Sequence, residues 1–236
     1  MMKNNVLIIG GSGGIGKEII NMLIAENMHV INIDCVSLDA FVQSNNYTEV
    51  LVTLTSNNSN EIVNRVINEY KEIDAFISTI GYYGIDTLDD FSNKKYIDTL
   101  EVNIDIPTQF SIIVSKLMKK QGFGKMIFVS SAAAYVGSRD IPYSISKAAI
   151  LGLVRGLSKN LAGTNVYTYG VAPGIVETEM SERMNSERKN DAIKGTFNKR
   201  MCKPIEIAKL VMFLLLEDSG YMNGAVLHIN NGLYLN

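Results

Sequence analysis

Residues 6–16 read Val-Leu-Ile-Ile-Gly-Gly-Ser-Gly-Gly-Ile-Gly, an apolar run that passes directly into glycines. The apolar residues are mostly β-branched, which predicts a strand buried on both faces. Beyond Gly16, apolar residues recur at helical spacing from Ile19 to Ile24, so the glycine turn opens a helix. A strand, a glycine turn and a helix together form a phosphate-binding unit, because glycine permits close backbone approach and the helix N-terminus attracts an anion.

The spacing of Gly10, Gly14 and Gly16 differs from the commoner Gly-x-Gly-x-x-Gly pattern, and a purely structural tight turn would also need glycine. The next predicted strand, residues 28–33, adds independent evidence because it leads into Asp34. A carboxylate about 20 residues past the glycines can accept hydrogen bonds from an adenosine ribose and repel a 2′-phosphate. Asp34 therefore predicts NAD as the cofactor in preference to NADP.

Composition restricts the class of protein. The 236 residues are 47% hydrophobic with a formal net charge of −2, which predicts one globular domain over residues 1–236. No basic run exceeds Lys119-Lys120, so we expect no nucleic-acid partner and no membrane partner. The longest apolar run, residues 211–216, is too short to span a bilayer, and no signal peptide is indicated, so we expect a cytoplasmic protein. Cys35 and Cys202 are too few for a disulfide framework or a metal cluster.

Strand and helix patterns alternate along the chain. This alternation predicts an α/β fold, a doubly wound Rossmann-type parallel sheet of seven strands flanked by about six helices. The charged residues 177–200 suit a mobile helical lid, and Pro107 predicts a kink or break in a long helix. The remaining predicted strands are residues 49–54, 73–80, 125–130, 166–171 and 225–229, and the helices are about 61–71, 92–120, 143–162 and 204–217.

Tyr143 and Lys147 lie one helical turn apart in a predicted helix. A fixed cation beside a phenol favours the phenolate and lowers the phenol pKa, which suits a general acid or base. Taken alone, the pair could equally be a surface tyrosine with a solvated lysine. Ser131 favours the catalytic interpretation because it follows the fifth strand, and the carboxyl ends of parallel strands face the ligand crevice. Ser131 and Tyr143 are therefore expected to converge on one substrate oxygen.

With these motifs the chain resembles the short-chain dehydrogenase/reductase family, of the short single-domain type, over essentially all of its length. Any one of the motifs is weak evidence, but their common order along the chain is specific. The matching segments are Gly10-x-x-x-Gly14-Ile15-Gly16, Val102-Asn103, Ser130-Ser131, Tyr143-x-x-x-Lys147, Pro173-Gly174-Ile175-Val176-Glu177-Thr178 and residues 224–232.

The resemblance implies a role for each matched residue. Tyr143 exchanges a proton with the substrate oxygen, Lys147 lowers the pKa of that phenol and holds the nicotinamide ribose, and Ser131 polarises the carbonyl. Asn103 is implied to hold a water in a proton relay; the alternative is a helix-kink residue that satisfies a free carbonyl near Pro107. The implied cofactor-binding residues are Gly10, Ser12, Gly13, Gly14, Ile15, Gly16, Asp34, Thr53, Leu54, Ile80, Gly81, Tyr143, Lys147, Ile175 and Thr178.

Four places depart from the family pattern. Ile9 stands where a threonine is usual, Thr53 where an acidic residue is common, and Asn231 where an aspartate is usual. Residues 78–81, Ser-Thr-Ile-Gly, replace Asn-Asn-Ala-Gly, although their two hydroxyls remain hydrogen-bond donors. These departures leave the catalytic set intact and bear on cofactor affinity and geometry.

The leading hypothesis is an NAD-dependent oxidoreductase that interconverts a secondary alcohol and a ketone, with a small hydroxy compound from secondary metabolism or sugar chemistry as its substrate. Within the family the chain is most similar to 3-oxoacyl-carrier-protein reductases, but those generally use NADPH, and residues 161–165 lack a basic residue to hold an acidic carrier. A cofactor-binding protein with little turnover is a second hypothesis, motivated by residues 78–81 and Thr53. A sugar epimerase or dehydratase fits poorly, because that branch has a longer chain.

The substrate is expected to contact three loops, residues 82–90, 132–141 and 178–200. Tyr83 and Tyr135 are candidate lining residues, with a solvent-exposed position as the alternative for each. The resemblance also implies a homotetramer or a dimer built on the long helices around Asn103 and Tyr143. The apolar residues that would support this assembly, if they are not core, are Phe110, Ile113, Leu117, Leu151, Val154 and Leu157.

Overall fold

A seven-stranded parallel sheet with strand order β3-β2-β1-β4-β5-β6-β7 forms the centre of the fold. The computed structural model describes residues 4–38, 42–85 and 87–235. The order reverses between β1 and β4, which is the switch point where open α/β sheets bind ligands. The predicted doubly wound fold is confirmed. The strands are β1 (Asn5–Ile9), β2 (His29–Asp34), β3 (Tyr47–Leu51), β4 (Ala75–Ser78), β5 (Gly124–Val129), β6 (Val166–Pro173) and β7 (Val226–Ile229).

Helices cover both faces of the sheet. The predicted helices are present, and three short helices, α5, α7 and α8, add to them. The predicted lid contains α7 and α8. The helices are α1 (Gly14–Ala25), α2 (Ser59–Tyr70), α3 (Asn93–Leu100), α4 (Ile106–Gln121), α5 (Ala133–Val136), α6 (Ile141–Asn160), α7 (Glu179–Glu182), α8 (Ser186–Gly195) and α9 (Pro204–Leu216), with a π turn at Glu101–Asp105 and a 3-10 turn at Gly220–Met222.

Alternate side chains of β1 point to opposite faces of the sheet and belong to two separate layers of the core. Leu7 and Ile9 pack with residues of α2, α4 and α6, whereas Val6 and Ile8 pack with residues of α1 and α9. The residues considered for an oligomer interface belong mostly to the first layer, so they give an interface no separate support. Phe110, Val154 and Leu157 are buried in that layer, and Ile113 and Leu117 pack against it. Leu151 is buried but belongs to neither layer.

The break expected at Pro107 takes the form of a π turn between α3 and α4. Proline has no N–H, so Pro107 cannot donate to the carbonyl of Asn103 four residues earlier. The backbone adopts π geometry at this point, and Asn103 is buried within it. Ser92 caps α3 by accepting a hydrogen bond from the Lys95 N–H at 3.5 Å.

Element ends differ from the predictions by a few residues. The third strand covers residues 47–51 instead of 49–54, and β4 ends at Ser78, two residues before Ile80. α6 begins at Ile141, because the Asp140 carboxylate accepts a hydrogen bond from the Tyr143 N–H at 3.0 Å and caps it. Residues 39–41, and residue 86 of the predicted substrate loop at 82–90, lie outside the described residues. Across the described ranges, no helix has the length and apolar character needed to cross a bilayer.

Candidate active site

A cleft of about 370 Å³ opens at the carboxyl edge of the sheet, beside the switch point. It lies between the ends of β4, β5 and β6 on one side and α7 and α8 on the other. The predicted substrate loops therefore do meet at one place. The predicted site residues that line the cleft are Ile15, Gly81, Ser131, Tyr143, Lys147, Ile175 and Thr178.

The glycine turn is held against β4 so closely that side chains are excluded. A Cβ on Gly10, which has φ of +78°, would lie 2.5 Å from the backbone of Ile80. A Cβ on Gly16 would lie 2.5 Å from the carbonyl oxygen of Gly11. On the other side, a Cβ on Gly14 would lie 2.9 Å from the Thr178 side chain, so Thr178 rests directly on the turn.

Asn32, a buried polar residue in the middle of β2, holds the glycine turn in place through side-chain hydrogen bonds. Its side-chain oxygen accepts a hydrogen bond from the Gly11 N–H at 3.1 Å. Its amide nitrogen donates to the hydroxyls of Ser12 and Tyr47, at 3.3 Å and 3.1 Å. The sequence analysis missed Asn32, although an asparagine within an otherwise apolar strand must find hydrogen-bond partners.

Ser12 is turned inward instead of toward a ligand. Its hydroxyl donates to the carbonyl of Val36 at 2.5 Å and accepts from Asn32. The prediction that Ser12 binds the cofactor is therefore corrected for its side chain, because both interactions use the hydroxyl to hold the turn against the loop after β2.

Asp34 links the glycine turn to the end of β2. One carboxylate oxygen accepts from the Ser12 N–H at 2.9 Å, and the other accepts from the Cys35 and Val36 N–H groups at 2.7 Å and 3.2 Å. Three N–H donors hold the carboxylate in one orientation at the carboxyl edge of the sheet. Asp34 is thus both a structural tie and a fixed negative charge at the expected ribose position.

Thr79, which follows β4, joins the end of that strand to the glycine turn. Its hydroxyl donates to the Gly10 carbonyl at 2.7 Å, and its N–H donates to the Ile9 carbonyl at 3.0 Å. The expectation that residues 78–81 keep useful donors is confirmed for Thr79.

By contrast, Leu54 is buried in the core layer under α2, and the carbonyl of Thr53 accepts a hydrogen bond from Asn58 at 2.9 Å. The predicted cofactor contact is therefore corrected for the Leu54 side chain, which the core takes up.

Ser131 and Tyr143 line the same cleft, and the Ser131 hydroxyl is near enough to act on the phenol of Tyr143. Ser131 is itself positioned by the Ala133 N–H, which donates to its oxygen at 3.1 Å. The ring of Tyr83 packs edge-on against the Tyr143 ring, with centroids 4.9 Å apart. Tyr83 lines the cleft as predicted, whereas Tyr135 packs on the rings of His228 and Tyr234.

The protonation of Tyr143 differs from the prediction. Burial raises the pKa of Tyr143 to about 12, and the hydrogen bond from Ser131 offsets this only in part. A net lowering of this pKa is therefore wrong for the protein alone, since loss of water solvation penalises the phenolate more than neighbouring groups favour it. The contribution of Lys147 stays a prediction.

Lys147 is buried beside the tyrosine. Its ammonium donates to the Val129 carbonyl at 3.1 Å and lies 5.6 Å from the centroid of the Tyr143 ring. Burial lowers the pKa of Lys147 to about 8. A Cβ on Gly81 would lie 3.4 Å from this nitrogen, so the end of β4 and the ammonium share one corner of the cleft.

Asn103 connects the π turn to the neighbouring loop. Its side-chain oxygen accepts from the Tyr82 N–H at 2.6 Å, and its amide donates to the Tyr82 carbonyl and the Ser146 hydroxyl, both at 2.9 Å. The alternative that its side chain satisfies a carbonyl near Pro107 is therefore wrong. Through Ser146 on α6, Asn103 also holds the helix that carries Tyr143. The predicted water relay stays a prediction.

Arg188 on α8 is a cleft residue that the sequence analysis did not single out. Its side chain is only 7% exposed. Charged residues are abundant in residues 177–200, and nothing in their spacing separates the one that turns inward from those that face water. The cleft also contains Met180, Met184, Ala192 and Leu233, which give this side of it an apolar lining.

Comparison with known proteins agrees with this geometry. The sequence profile described as short chain dehydrogenase matches residues 4–189. The 3-oxoacyl-[acyl-carrier-protein] reductases FabG of Haemophilus influenzae and Thermotoga maritima are 26% and 28% identical, each over 97% of this chain and 97% of their own. Among solved structures, ElxO with NADP bound has a TM-score of 0.89 at 24% identity and covers 98% of this chain and 99% of its own. The structure of gox2181 has a TM-score of 0.90 at 19% identity, with coverages of 99% and 96%.

Proposed function

The chain belongs to the short-chain dehydrogenase family, and from that premise we propose that it is an NAD-dependent oxidoreductase acting between a secondary alcohol and a ketone. The observation that carries the proposal is that Ser131, Tyr143 and the buried Lys147 line one cleft. These groups lie in the cleft next to the glycine turn, so one site offers a proton donor, a cation and a place for a dinucleotide.

The glycine turn fits a dinucleotide phosphate. No side chain caps the N-terminus of α1, and its first turn carries no acidic residue, so the helix offers N–H groups and a positive dipole end to an anion. Gly13, Gly14, Ile15 and Gly16 would hold the diphosphate, Asp34 the ribose, and Ile175 and Thr178 the nicotinamide side. The bound cofactor supplies the hydride, while the protein supplies orientation and charge.

The protein's own residues are suited to manage the proton. With a pKa near 12, Tyr143 is protonated at neutral pH and can give its proton to the substrate oxygen as the carbonyl carbon is reduced. The O–H bond of the phenol breaks, the new alcohol keeps the proton, and the remaining phenolate is stabilised by the Lys147 ammonium. Ser131 holds the substrate oxygen against the phenol.

The test of this function is whether the purified protein binds NADH and oxidises it in the presence of ketones. We expect saturable NADH binding and ketone-dependent loss of NADH absorbance with at least one member of a broad panel. Binding without turnover over the whole panel would favour a cofactor-binding protein with little activity, and absence of NADH and NADPH binding would refute the proposal.

Reduction of a 3-oxoacyl carrier protein is a second candidate function, favoured by the FabG relatives. Against it, residues 161–165 form a turn that carries no basic side chain to bind an acidic carrier. Turnover of an acetoacetyl carrier protein with NADPH, at a higher kcat/KM than for small ketones with NADH, would establish this second candidate in place of the first.

Replacing Asp34 with alanine should shift the coenzyme preference. The variant loses the ribose acceptor and the charge that repels a 2′-phosphate, so the ratio of kcat/KM for NADH to that for NADPH should fall about 10- to 100-fold. Alanine also removes the bond from the Ser12 N–H, which weakens both coenzymes equally. For that reason the quantity to measure is the ratio of kcat/KM for NADH to kcat/KM for NADPH. A second variant, Asp34→Asn, removes the charge but keeps a side-chain oxygen. An unchanged ratio in both variants would contradict the role of Asp34.

The rate of ketone reduction should depend on the protonation of Lys147. With a pKa of about 8, the ammonium is charged below pH 8 and neutral above it. Log kcat/KM for reduction should therefore be level from pH 6 to 7.5 and fall with a slope approaching −1 above about pH 8. Lys147→Arg keeps its charge at every pH in this range and should flatten the profile. A wild-type profile that stays level to pH 10 would contradict the prediction.

We further propose that the protein is a cytoplasmic homo-oligomer, a dimer or tetramer. Both cysteines are free, which suits a reducing compartment. α4 and α6, the two long helices next to the site, also leave Ile112 and Ile145 exposed. A mass measurement in solution that finds only monomer would refute the assembly.

A further inference from the structure

Arg188 is buried in the cleft, and one nitrogen of its guanidinium has no hydrogen-bond partner among the described residues. Its Nη2 atom is shielded from solvent and makes no hydrogen bond to any residue that the structure describes. The backbone N–H of Arg188 donates to the Asn185 side chain at 2.8 Å and helps to start α8, but this bond does not involve the guanidinium. A buried, unpaired charged group costs free energy, so its presence calls for a ligand or a function.

The charge of the cleft is positive around this group. Among the residues that the structure describes, the charged ones that line the cleft are Arg139, Lys147, Arg188 and Asp191. The one carboxylate among them, Asp191, lies 3.6 Å from Arg139, and both side chains are more than half exposed. This pair is neutral overall, so Lys147 and Arg188 leave the inner cleft with an excess of positive charge that favours an anion.

We propose that Arg188 binds a carboxylate of the substrate, so that the protein acts on small oxo acids and hydroxy acids. This inference rests on the proposed oxidoreductase function and specifies its substrate class. The planar guanidinium matches a carboxylate with two parallel N–H···O bonds. The apolar side chains around it, Met184, Ala192 and Leu233, suit a short carbon skeleton between the carboxylate and the reacting carbonyl. Arg188 lies in the lid, whereas Ser131 lies after the end of β5 and Tyr143 lies in the first turn of α6, so one substrate can contact Arg188 and the two hydroxyls.

The kinetic test compares oxo acids with their methyl esters, which have the same skeleton without the charge. The probes are 3-oxobutanoate, 4-oxopentanoate and 5-oxohexanoate, each paired with its ester and assayed with NADH. In the wild type we expect at least one acid to exceed its ester in kcat/KM. In Arg188→Met, kcat/KM for that acid should fall about 100-fold, the effect of losing two charge-assisted bonds, while the value for the ester changes less than about threefold. Arg188→Lys should retain part of the preference.

Arg183→Met is the matched control, because it removes the same charge from an exposed position in the same lid segment. This variant should keep the wild-type preference for the acid. NADH affinity should also be unchanged in Arg188→Met; a loss of NADH affinity comparable with the loss of kcat/KM would place Arg188 on the dinucleotide and overturn the inference.

A binding measurement separates this inference from the proposed function. In the presence of NADH, the acids should raise the wild-type Tm more than their esters do, and Arg188→Met should abolish the difference. Equal shifts for acids and esters, or shifts that persist in Arg188→Met, would overturn the carboxylate site. A response to a keto phosphate monoester but to no acid would overturn it as well. Turnover of neutral ketones that does not depend on Arg188 would overturn this inference and leave the oxidoreductase standing. Acid-specific stabilisation without turnover would support the site and count against the oxidoreductase.

Discussion

Replacing Tyr143 with phenylalanine should lower kcat for ketone reduction by about 100- to 10,000-fold, the range expected for loss of a positioned proton donor. The phenyl ring fills the same space and keeps its edge-on contact with Tyr83, so the cleft retains its shape. Loss of the hydroxyl and of its interaction with Ser131 should reduce the free energy of unfolding by at most about 1 kcal/mol. The substitution is therefore expected to lower activity strongly and the free energy of unfolding only slightly.

Three measurements establish this separation: kcat, NADH affinity and urea unfolding. Tyr221→Phe removes the same hydroxyl from a fully exposed ring and should match the wild type in all of them. Residual reduction by Tyr143→Phe within tenfold of the wild type would show that another group delivers the proton. A large loss of NADH affinity would show that the hydroxyl acts mainly in binding.

Replacing Lys147 with methionine should abolish most activity and at the same time stabilise the fold. Burial lowers the pKa of this lysine from 10.5 to about 8, which corresponds to about 3 kcal/mol against the charged form in the folded state. Methionine has a similar length and no charge, but it leaves the Val129 carbonyl without the bond from the ammonium. We expect a net gain of about 2 kcal/mol in the free energy of unfolding at pH 7, and a loss of at least about 100-fold in kcat.

The pH dependence of unfolding gives this prediction a second check. Between about pH 8 and 10.5 the folded lysine is neutral while the unfolded lysine still binds a proton, so the wild type gains stability as the pH rises. The advantage of Lys147→Met should therefore shrink at pH 10. Lys116→Met, at an exposed position of α4, should differ little from the wild type at either pH. A Lys147→Met variant less stable than the wild type at pH 7 would contradict the account.

The fold could be predicted from local patterns because burial on both faces leaves a direct mark on the sequence. The runs at β1, β2 and β5 are almost entirely apolar, and the glycines and Pro107 mark the points where the backbone must turn or change register. The limits of β3 were shifted because its residues are only partly buried and lack that contrast.

Site residues could be predicted from the sequence only where a motif links the residue type to one chemical role. Ser131, Tyr143 and Lys147 meet as their spacing and the edge of the sheet required. The sign of the Tyr143 pKa shift was wrong, because a sequence shows a neighbouring charge but not the amount of water removed around the phenol. Arg188 was missed for the same reason, since only the placement of α8 over the cleft buries it.

The two buried cations also carry information about selection. Lys147 and Arg188 each occupy a position where an uncharged side chain of similar length would make the fold more stable. Most random changes at such positions remove the charge, and nothing in folding opposes them. In a lineage that had stopped using the cleft, mutation would replace both residues without penalty, as happens wherever function and stability compete. We therefore expect the two buried cations to be kept together only where the cleft is in use.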